Sequence, residues 1–237
     1  MTSKSDLQLL GLQAEALFTH DERGRILRVN EPEGEHAPRF FFARSREGAI
    51  WRCRDDVSEK TARDLDALVA VEPVDDDLRT ELHNMGAFLT ALCGDRESAL
   101  VASGPAYRFP DELPRADSVT HLTHDDLHLL RAMVQDLDYT ARYFTERGPC
   151  MVVVEDGRAV SACYSARLTD RAAEAGVETL EAYRGRGYAP AVVTEWAHAI
   201  RATGRIPLYS TSWDNRASQA VARRLQLIQY GTDVSLG

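Results

Sequence analysis

The chain has 237 residues, 44% of them hydrophobic and 27% charged, the length of one large domain or two small ones and enough apolar material for a buried core. Lys plus Arg is 28 against 37 Asp plus Glu, a net charge of -9, which argues against broad nucleic-acid binding because that needs a basic footprint. Lys4 and Lys60 are the two lysines, so a Walker-type loop ending in GKS or GKT is excluded, and so is a Schiff-base lysine beyond residue 60.

The opening MTSKSDLQLLGLQAEALF lacks a basic stretch followed by an apolar run, so a signal peptide is not expected. No run approaches the roughly 18–20 apolar residues of a membrane helix. Cys53, Cys93, Cys150 and Cys163 stand far apart without CxxC spacing, the pattern of reduced thiols and not of a disulfide framework or a zinc site. A cytoplasmic location, with no membrane or nucleic-acid partner and no metal, is the expectation.

Residues 1–115 contain short strand-like runs at Arg25-Ile-Leu-Arg-Val-Asn30, Arg39-Phe-Phe-Phe-Ala43 and Ala49-Ile-Trp-Arg-Cys53, the first preceded by a turn at Asp21-Glu-Arg-Gly24. Ser58 is placed to cap a helix with Leu65, Leu68 and Val69 on one face. A second helix is expected from Asp77 to about Cys93, carrying Leu78, Leu82, Met85 and Leu89 and stopping at Gly94, with Asp75-Asp-Asp77 as the acidic complement to its N-terminus. Ser98 to Phe109 reads as extended, and Pro105, Pro110 and Pro114 mark a boundary between a 1–115 domain and a 116–237 domain.

The second part has a clearer rhythm. Ser118 to Leu122 reads as a strand, Thr123 and Asp126 as a capping pair for a helix through Leu127, Leu130, Val134 and Leu137, and Tyr139 to Arg147 as a second short helix ended by Gly148-Pro149. Strands are expected at Met151–Glu155 and Ala159–Leu168, joined by an Asp156-Gly157 hairpin, and at about Ala173–Leu180. A helix from Gly187 to about Thr203 closes at Gly204; a strand at Pro207–Ser212, a helix at Asn215–Leu225 and a strand at Leu227–Val234 follow. The class is mixed α/β, with antiparallel hairpins first and βαβ crossings later.

The chemistry concentrates in Val177-Glu-Thr-Leu-Glu-Ala-Tyr-Arg-Gly-Arg-Gly-Tyr-Ala189. A strand ends, Gly185 and Gly187 make a turn, and a helix begins. Such a turn presents backbone N–H groups at the positive end of a helix dipole, where they hold a diphosphate, and Arg184 and Arg186 add charge. The glycines let the phosphates reach the backbone.

Arg184-Gly-Arg-Gly-Tyr-Ala189 resembles the acyl-CoA signature of the GCN5-related N-acetyltransferases (GNAT), which reads Arg or Gln, two residues, Gly, one residue, then Gly or Ala. Val177-x-Thr179 before it, and Asn215-x-Ala217-Ser218-x-x-Val221-Ala222-x-x-Leu225 after it, follow the family's order. The resemblance covers residues 116–237, is closest to the FR47-like branch, and leaves residues 1–115 as an additional N-terminal α+β domain of open role. It implies acetyl-CoA as co-substrate, an amine acceptor, and direct attack of the amine on the thioester. It also implies that the backbone of Val177 to Thr179 pairs with the pantetheine arm. The amides of Gly185, Arg186, Gly187, Tyr188 and Ala189 would cradle the diphosphate, with Arg184 and Arg186 nearby, and Asn215 would touch the cofactor; Ser218 either touches it too or faces solvent from its helix. An N–H near Thr179 is the implied oxyanion donor.

The acid and base do not transfer. Ala222 stands where many members have a tyrosine, and Ser210 where some have a catalytic glutamate. Alternation puts Glu178 and Glu174 on one face of the strand beside the cofactor, which makes Glu178 the candidate base and Glu174 the second choice; Tyr209 and Tyr188 are candidate donors, although tyrosines on strands and helix starts are usually packing residues. His121, His124 and His128 read as surface or capping residues, and Cys163 as a buried strand cysteine. Leu225-Gln-Leu227 departs from the family's Leu-Gly-Phe turn. The expected activity is acetyl-CoA-dependent N-acetyl transfer. The alternatives are a non-catalytic acyl-CoA-binding module and a longer acyl donor, and a homodimer is left open.

Overall fold

The computed structural model describes residues 4–34, 36–93 and 100–237. In chain order its elements are α1 (Asp6–Leu17), β1 (Phe18–His20), β2 (Ile26–Val29), β3 (Phe40–Ser45), β4 (Gly48–Cys53), α2 (Glu59–Ala70), α3 (Met85–Cys93) and β5 (Leu100–Arg108). Then come β6 (Thr120–His121), a 3₁₀ helix at His124–Ala132, α4 (Leu137–Tyr143), β7 (Met151–Glu155), β8 (Arg158–Leu168), β9 (Ala172–Thr179) and a 3₁₀ turn at Glu181–Tyr183. Last are α5 (Tyr188–Ala202), β10 (Ile206–Ser210), α6 (Arg216–Arg224) and β11 (Ile228–Leu236). The class is the mixed α/β expected. Two compact units share the chain: Met1–Tyr107 with Ser210–Asn215 and Gln229–Gly237, and Arg108–Tyr209 with Arg216–Ile228.

In the first unit the strands run β4-β3-β11-β5. β3 is buried along its whole length and antiparallel to both β4 and β11, which explains a continuous Phe40-Phe-Phe-Ala run where a half-exposed strand would alternate. Phe40 and Phe42 pack on Phe88, Leu65, Leu92, Val234 and Leu236, with the Phe88 ring centroid 5.4 and 5.7 Å from theirs. Phe41 points the other way and meets Phe18 edge-on at 5.2 Å.

Helix α1 was not expected from the sequence. Its apolar residues lie all round the helix and leave no amphipathic stripe, but its start carries a capping box: Ser5 Oγ accepts from the Gln8 N–H at 3.2 Å, and Gln8 Oε1 from the Ser5 N–H at 3.1 Å. Buried Gln13 ties α1 to β11, donating to Asp233 Oδ2 at 2.7 Å and accepting from the Tyr230 hydroxyl at 3.2 Å. Burial pushes the Asp233 carboxyl up to about 7.

Ser58 caps α2 as expected, its Oγ accepting from the Thr61 N–H at 3.1 Å. The helix expected from Asp77 is corrected: it begins at Met85. Asp75 accepts from the Asp77 N–H at 2.9 Å and Asp77 from the Arg79 N–H at 3.0 Å, while the Thr80 hydroxyl donates to Asp75 at 2.8 Å. These side chains give the backbone a turn in place of a helix, so the acidic run is a set of turn acceptors and not a helix-dipole complement. Leu78 and Leu82 are nevertheless buried. The expected stop at Gly94 and the extended start at Ser98 lie outside the described residues.

In the second unit the order is β10-β9-β8-β7-β6. β6 to β9 form an antiparallel meander, and α5 crosses over to parallel β10. Asp156 and Gly157 turn the β7–β8 hairpin with φ of 50° and 73°, the left-handed pair a two-residue hairpin requires. Thr123 donates its N–H and hydroxyl to Asp126, but the helix that follows is 3₁₀ rather than α. One sheet face meets α5, where Trp196 Nε1 donates to Ser165 Oγ at 3.2 Å. On the other, Leu122, Leu127, Leu130, Cys150 and Val152 form a core.

The proline-punctuated segment is fixed to α5. Arg201 donates to the carbonyls of Pro110 and Asp111 at 2.6 and 2.9 Å, and Glu195 accepts from Arg115 at 2.8 Å. After α6, Gln226 takes the glycine-like conformation at φ 53°. The Leu227 N–H reaches the Ala222 carbonyl at 2.9 Å and the Gln226 N–H that of Arg223 at 3.1 Å, a Schellman end without its glycine. Among the described residues no helix is long and apolar enough to cross a membrane.

Candidate functional site

The site grows from the parting of two strands. β10 pairs with β9 at Ile206↔Ala172, Pro207↔Ala173 and Leu208↔Glu174. β9 continues to Thr179 while still paired to β8, through Cys163↔Val177 and Ser161↔Thr179. Beyond Glu174, therefore, β9 turns a backbone edge away from β8 that β10 does not use. Val177 and Thr179 lie on this stretch.

Below it the chain makes the glycine turn. Gly185 and Gly187 have φ of +77° and +87°, a region closed to most side chains, and Gly187 is the N-cap of α5. Among the described residues no backbone carbonyl accepts from the N–H groups of Gly185, Arg186 or Gly187. Those of Tyr188 and Ala189 open α5, where the first N–H groups have no partner in a preceding turn. A row of donors with a helix dipole behind it is an anion cradle.

The side chains around the cradle are held by the β7–β8 hairpin. Arg186 lies 3.5 Å from Glu155 and donates to the Ala182 carbonyl at 3.2 Å, and its guanidinium sits 4.8 Å from the Tyr183 ring centroid. The Tyr188 hydroxyl donates to Glu155, which raises the phenol's pKa. Arg158 joins the cluster at Tyr183, donating to its hydroxyl at 2.8 Å. Arg184 folds back instead, its Nε 3.4 Å from the Thr179 carbonyl. A third arginine was missed in the sequence: Arg224 of α6, whose Nη2 lies 3.5 Å from the place a Cβ on Gly187 would take. It lies far along the chain from the turn, and no local motif marks it.

Asn215 belongs to the first unit and stands directly ahead of α6, its N–H donating to the Ser212 carbonyl at 3.2 Å. Ser218 Oγ is 2.6 Å from the hydroxyl of buried Tyr209. Ala222 is buried.

Glu178 is exposed and accepts from the Tyr164 hydroxyl at 3.3 Å. Glu174 is only 3% exposed, enclosed at the end of the β9–β10 pairing. Ser161 bridges to Thr179, with its Oγ 2.8 Å from Thr179 Oγ1. Burial pushes the Cys150 thiol up to about 12 and that of Cys163 well above the ordinary thiol range, which makes them poor nucleophiles. His128 Nδ1 lies 3.2 Å from the Asp125 carbonyl, and His124 meets the Phe144 ring edge-on. No group of three or more His, Cys, Asp or Glu placed to hold a metal occurs among the described residues.

Residues 118–230 match the family model described as GNAT acetyltransferase. The chain is similar in fold to an acetyltransferase of the GNAT family from Colwellia psychrerythraea, at 15% identity and a TM-score of 0.51 over 100% of this chain and 97% of that one. A GCN5-related N-acetyltransferase-like protein from Streptococcus suis is matched at 16% identity over 83% and 84% of the two chains, with a TM-score of 0.47. A GNAT-family structure from Novosphingobium aromaticivorans is matched at 17% identity and a TM-score of 0.46 over 59% of this chain, which spans 66% of that one. No protein of curated function matches the sequence.

Proposed function

The segment 118–230 is a GNAT acetyltransferase domain, and from that premise we propose that the protein transfers an acetyl group from acetyl-CoA directly to an amine. The observation that carries this reading is the row of amides from Gly185 to Ala189 behind two left-handed glycines. It suits a diphosphate, and the open edge of β9 suits an arm that bears amide groups. Acetyl-CoA supplies the activated acetyl group. Gly185 to Ala189, with Arg184, Arg186 and Arg224 close by, hold the phosphates, and Val177 and Thr179 pair with the arm. A β9 N–H near Thr179 receives the developing oxyanion.

Glu178 takes one proton from the acceptor ammonium. The amine nitrogen then bonds to the acetyl carbon as the C–S bond breaks, and its second departing proton ends on the sulfur. With Ala222 at the position where a tyrosine would protonate the thiolate, that proton passes from nitrogen to sulfur without a dedicated acid. The test is calorimetric CoA binding beside thiol release from acetyl-CoA with a panel of amines. Binding together with release on at least one amine is expected. Binding without release on any amine would instead favour a non-catalytic acyl-CoA module, and release only from longer acyl-CoAs would change the donor.

A further inference from the structure

We infer that Tyr164 is a positioning residue that holds Glu178 as the proton acceptor of the transfer. The inference rests on the reading above and adds a residue to which neither motif nor family match assigns a role. It starts from a glycine. Gly176 lies opposite Tyr164 on the paired strands, and a Cβ on it would come within 2.9 Å of Tyr164 Cε2 and 3.0 Å of Cζ, closer than side chains pack. Gly176 therefore lets the phenol lie flat across β9, and the hydroxyl reaches Glu178, two residues further along the same face, at 3.3 Å.

The ring is fixed from behind as well. The Arg147 guanidinium sits 5.8 Å from its centroid, and the ring packs on the core of Leu127, Leu130 and Val152. Ser165, the next residue, faces α5 through Trp196, so Tyr164 and Glu178 share the opposite face, on the side of the 3₁₀ helix and α4. Burial and the nearby Glu178 charge push the Tyr164 phenol up to about 12. It thus stays a donor throughout the neutral range and does not itself transfer a proton. An exposed glutamate otherwise samples many rotamers; a rigid donor selects the one in which the carboxylate meets the Tyr164 hydroxyl over Gly176.

The experiment compares Tyr164→Phe, Glu178→Gln, Gly176→Ala and the Tyr164→Phe/Glu178→Gln double variant for kcat, KM for acetyl-CoA, and CoA affinity by calorimetry. Glu178→Gln is expected to lower kcat about 100-fold or more, within the range for loss of a general base. Tyr164→Phe, and Gly176→Ala by displacing the ring, should lower it about tenfold, with CoA affinity unchanged. The double variant should be no slower than Glu178→Gln alone, because Tyr164 acts through Glu178. A residue that merely supported the fold would slow both backgrounds equally and would move CoA affinity. Wild-type kcat in Tyr164→Phe, or a full further loss in the double variant, would overturn the inference while leaving the acetyltransferase reading intact. So would unchanged turnover in Glu178→Gln. Absence of turnover by the unaltered chain on every amine would overturn both.

Discussion

Two glycines cap the two ends of α5 in almost the same conformation, Gly187 at φ +87° and Gly204 at φ +81°, and only the first faces the cradle. Replacing either by alanine forces an L-residue into the left-handed region, at a cost of about 1–2 kcal/mol. For a chain of this size that lowers Tm by about 2–8 °C. Stability therefore does not separate the two variants. Binding does. A methyl on Gly204 meets no atom within 4 Å, whereas one on Gly187 projects to 3.5 Å from Arg224 Nη2, into the space where a phosphate would approach the amides. Losing one hydrogen bond to a charged group costs about 1.5–3 kcal/mol, or roughly 10- to 150-fold in Kd. Calorimetry with CoA should show that loss in Gly187→Ala and wild-type affinity in Gly204→Ala, with matched thermal melts. Equal CoA affinity in the two variants would refute the placement of the diphosphate, and Gly187→Trp should abolish binding outright.

Asp233 offers a pH test. Its folded pKa of about 7 lies above the unfolded value, so folding favours the protonated form. The penalty for ionisation is absent below pH ~4, grows between pH ~4 and ~7, and is at most about 4 kcal/mol above that. Asp233→Asn should gain stability over the native chain at pH 8 relative to pH 4 in urea titrations; a pH-independent difference would contradict this. Gln226→Gly should add about 1 kcal/mol by relieving the left-handed glutamine, raising Tm by about 2–4 °C, and a fall in Tm would count against the Schellman geometry. Of the 4 cysteines, Cys53, Cys150 and Cys163 are buried and Cys93 is partly exposed. A native thiol titration with an aromatic disulfide should therefore label Cys93 first, as mass spectrometry of the labelled peptides would report.

The second unit was legible where local chemistry decides the backbone. Asp156-Gly157 gives its hairpin, the Gly185 and Gly187 pair its turn, and Gly204 its helix end, because each demands a conformation that few residues adopt. The first unit was harder to read. α1 lacks an apolar stripe, and the 75–84 stretch has helical spacing of leucines that hydrogen bonds to the Asp75 and Asp77 side chains override. At the site, the spacing of Arg184 to Ala189 was readable, but its neighbours were not. Arg224 arrives through the α6 packing, and Glu155 through the hairpin. The contact between Tyr164 and Glu178 depends on a cross-strand register with an irregularity between Ser165 and Arg167, which no periodicity along one strand reveals.

The strand order of the first unit bears on how the chain is made. β11 lies between β3 and β5, and its Val234 and Leu236 sit in the same core as Phe40 and Phe42. During vectorial synthesis at about 5–20 residues per second, the phenylalanine strand emerges early and must wait for residues 228–236 before its second edge is paired. The second unit, by contrast, has most of its meander in place before then. An exposed Phe-Phe-Phe edge during that interval is a sticky surface, so the burden on chaperones falls on β3 and its neighbours until β11 is made, and loss of β11 would be felt there.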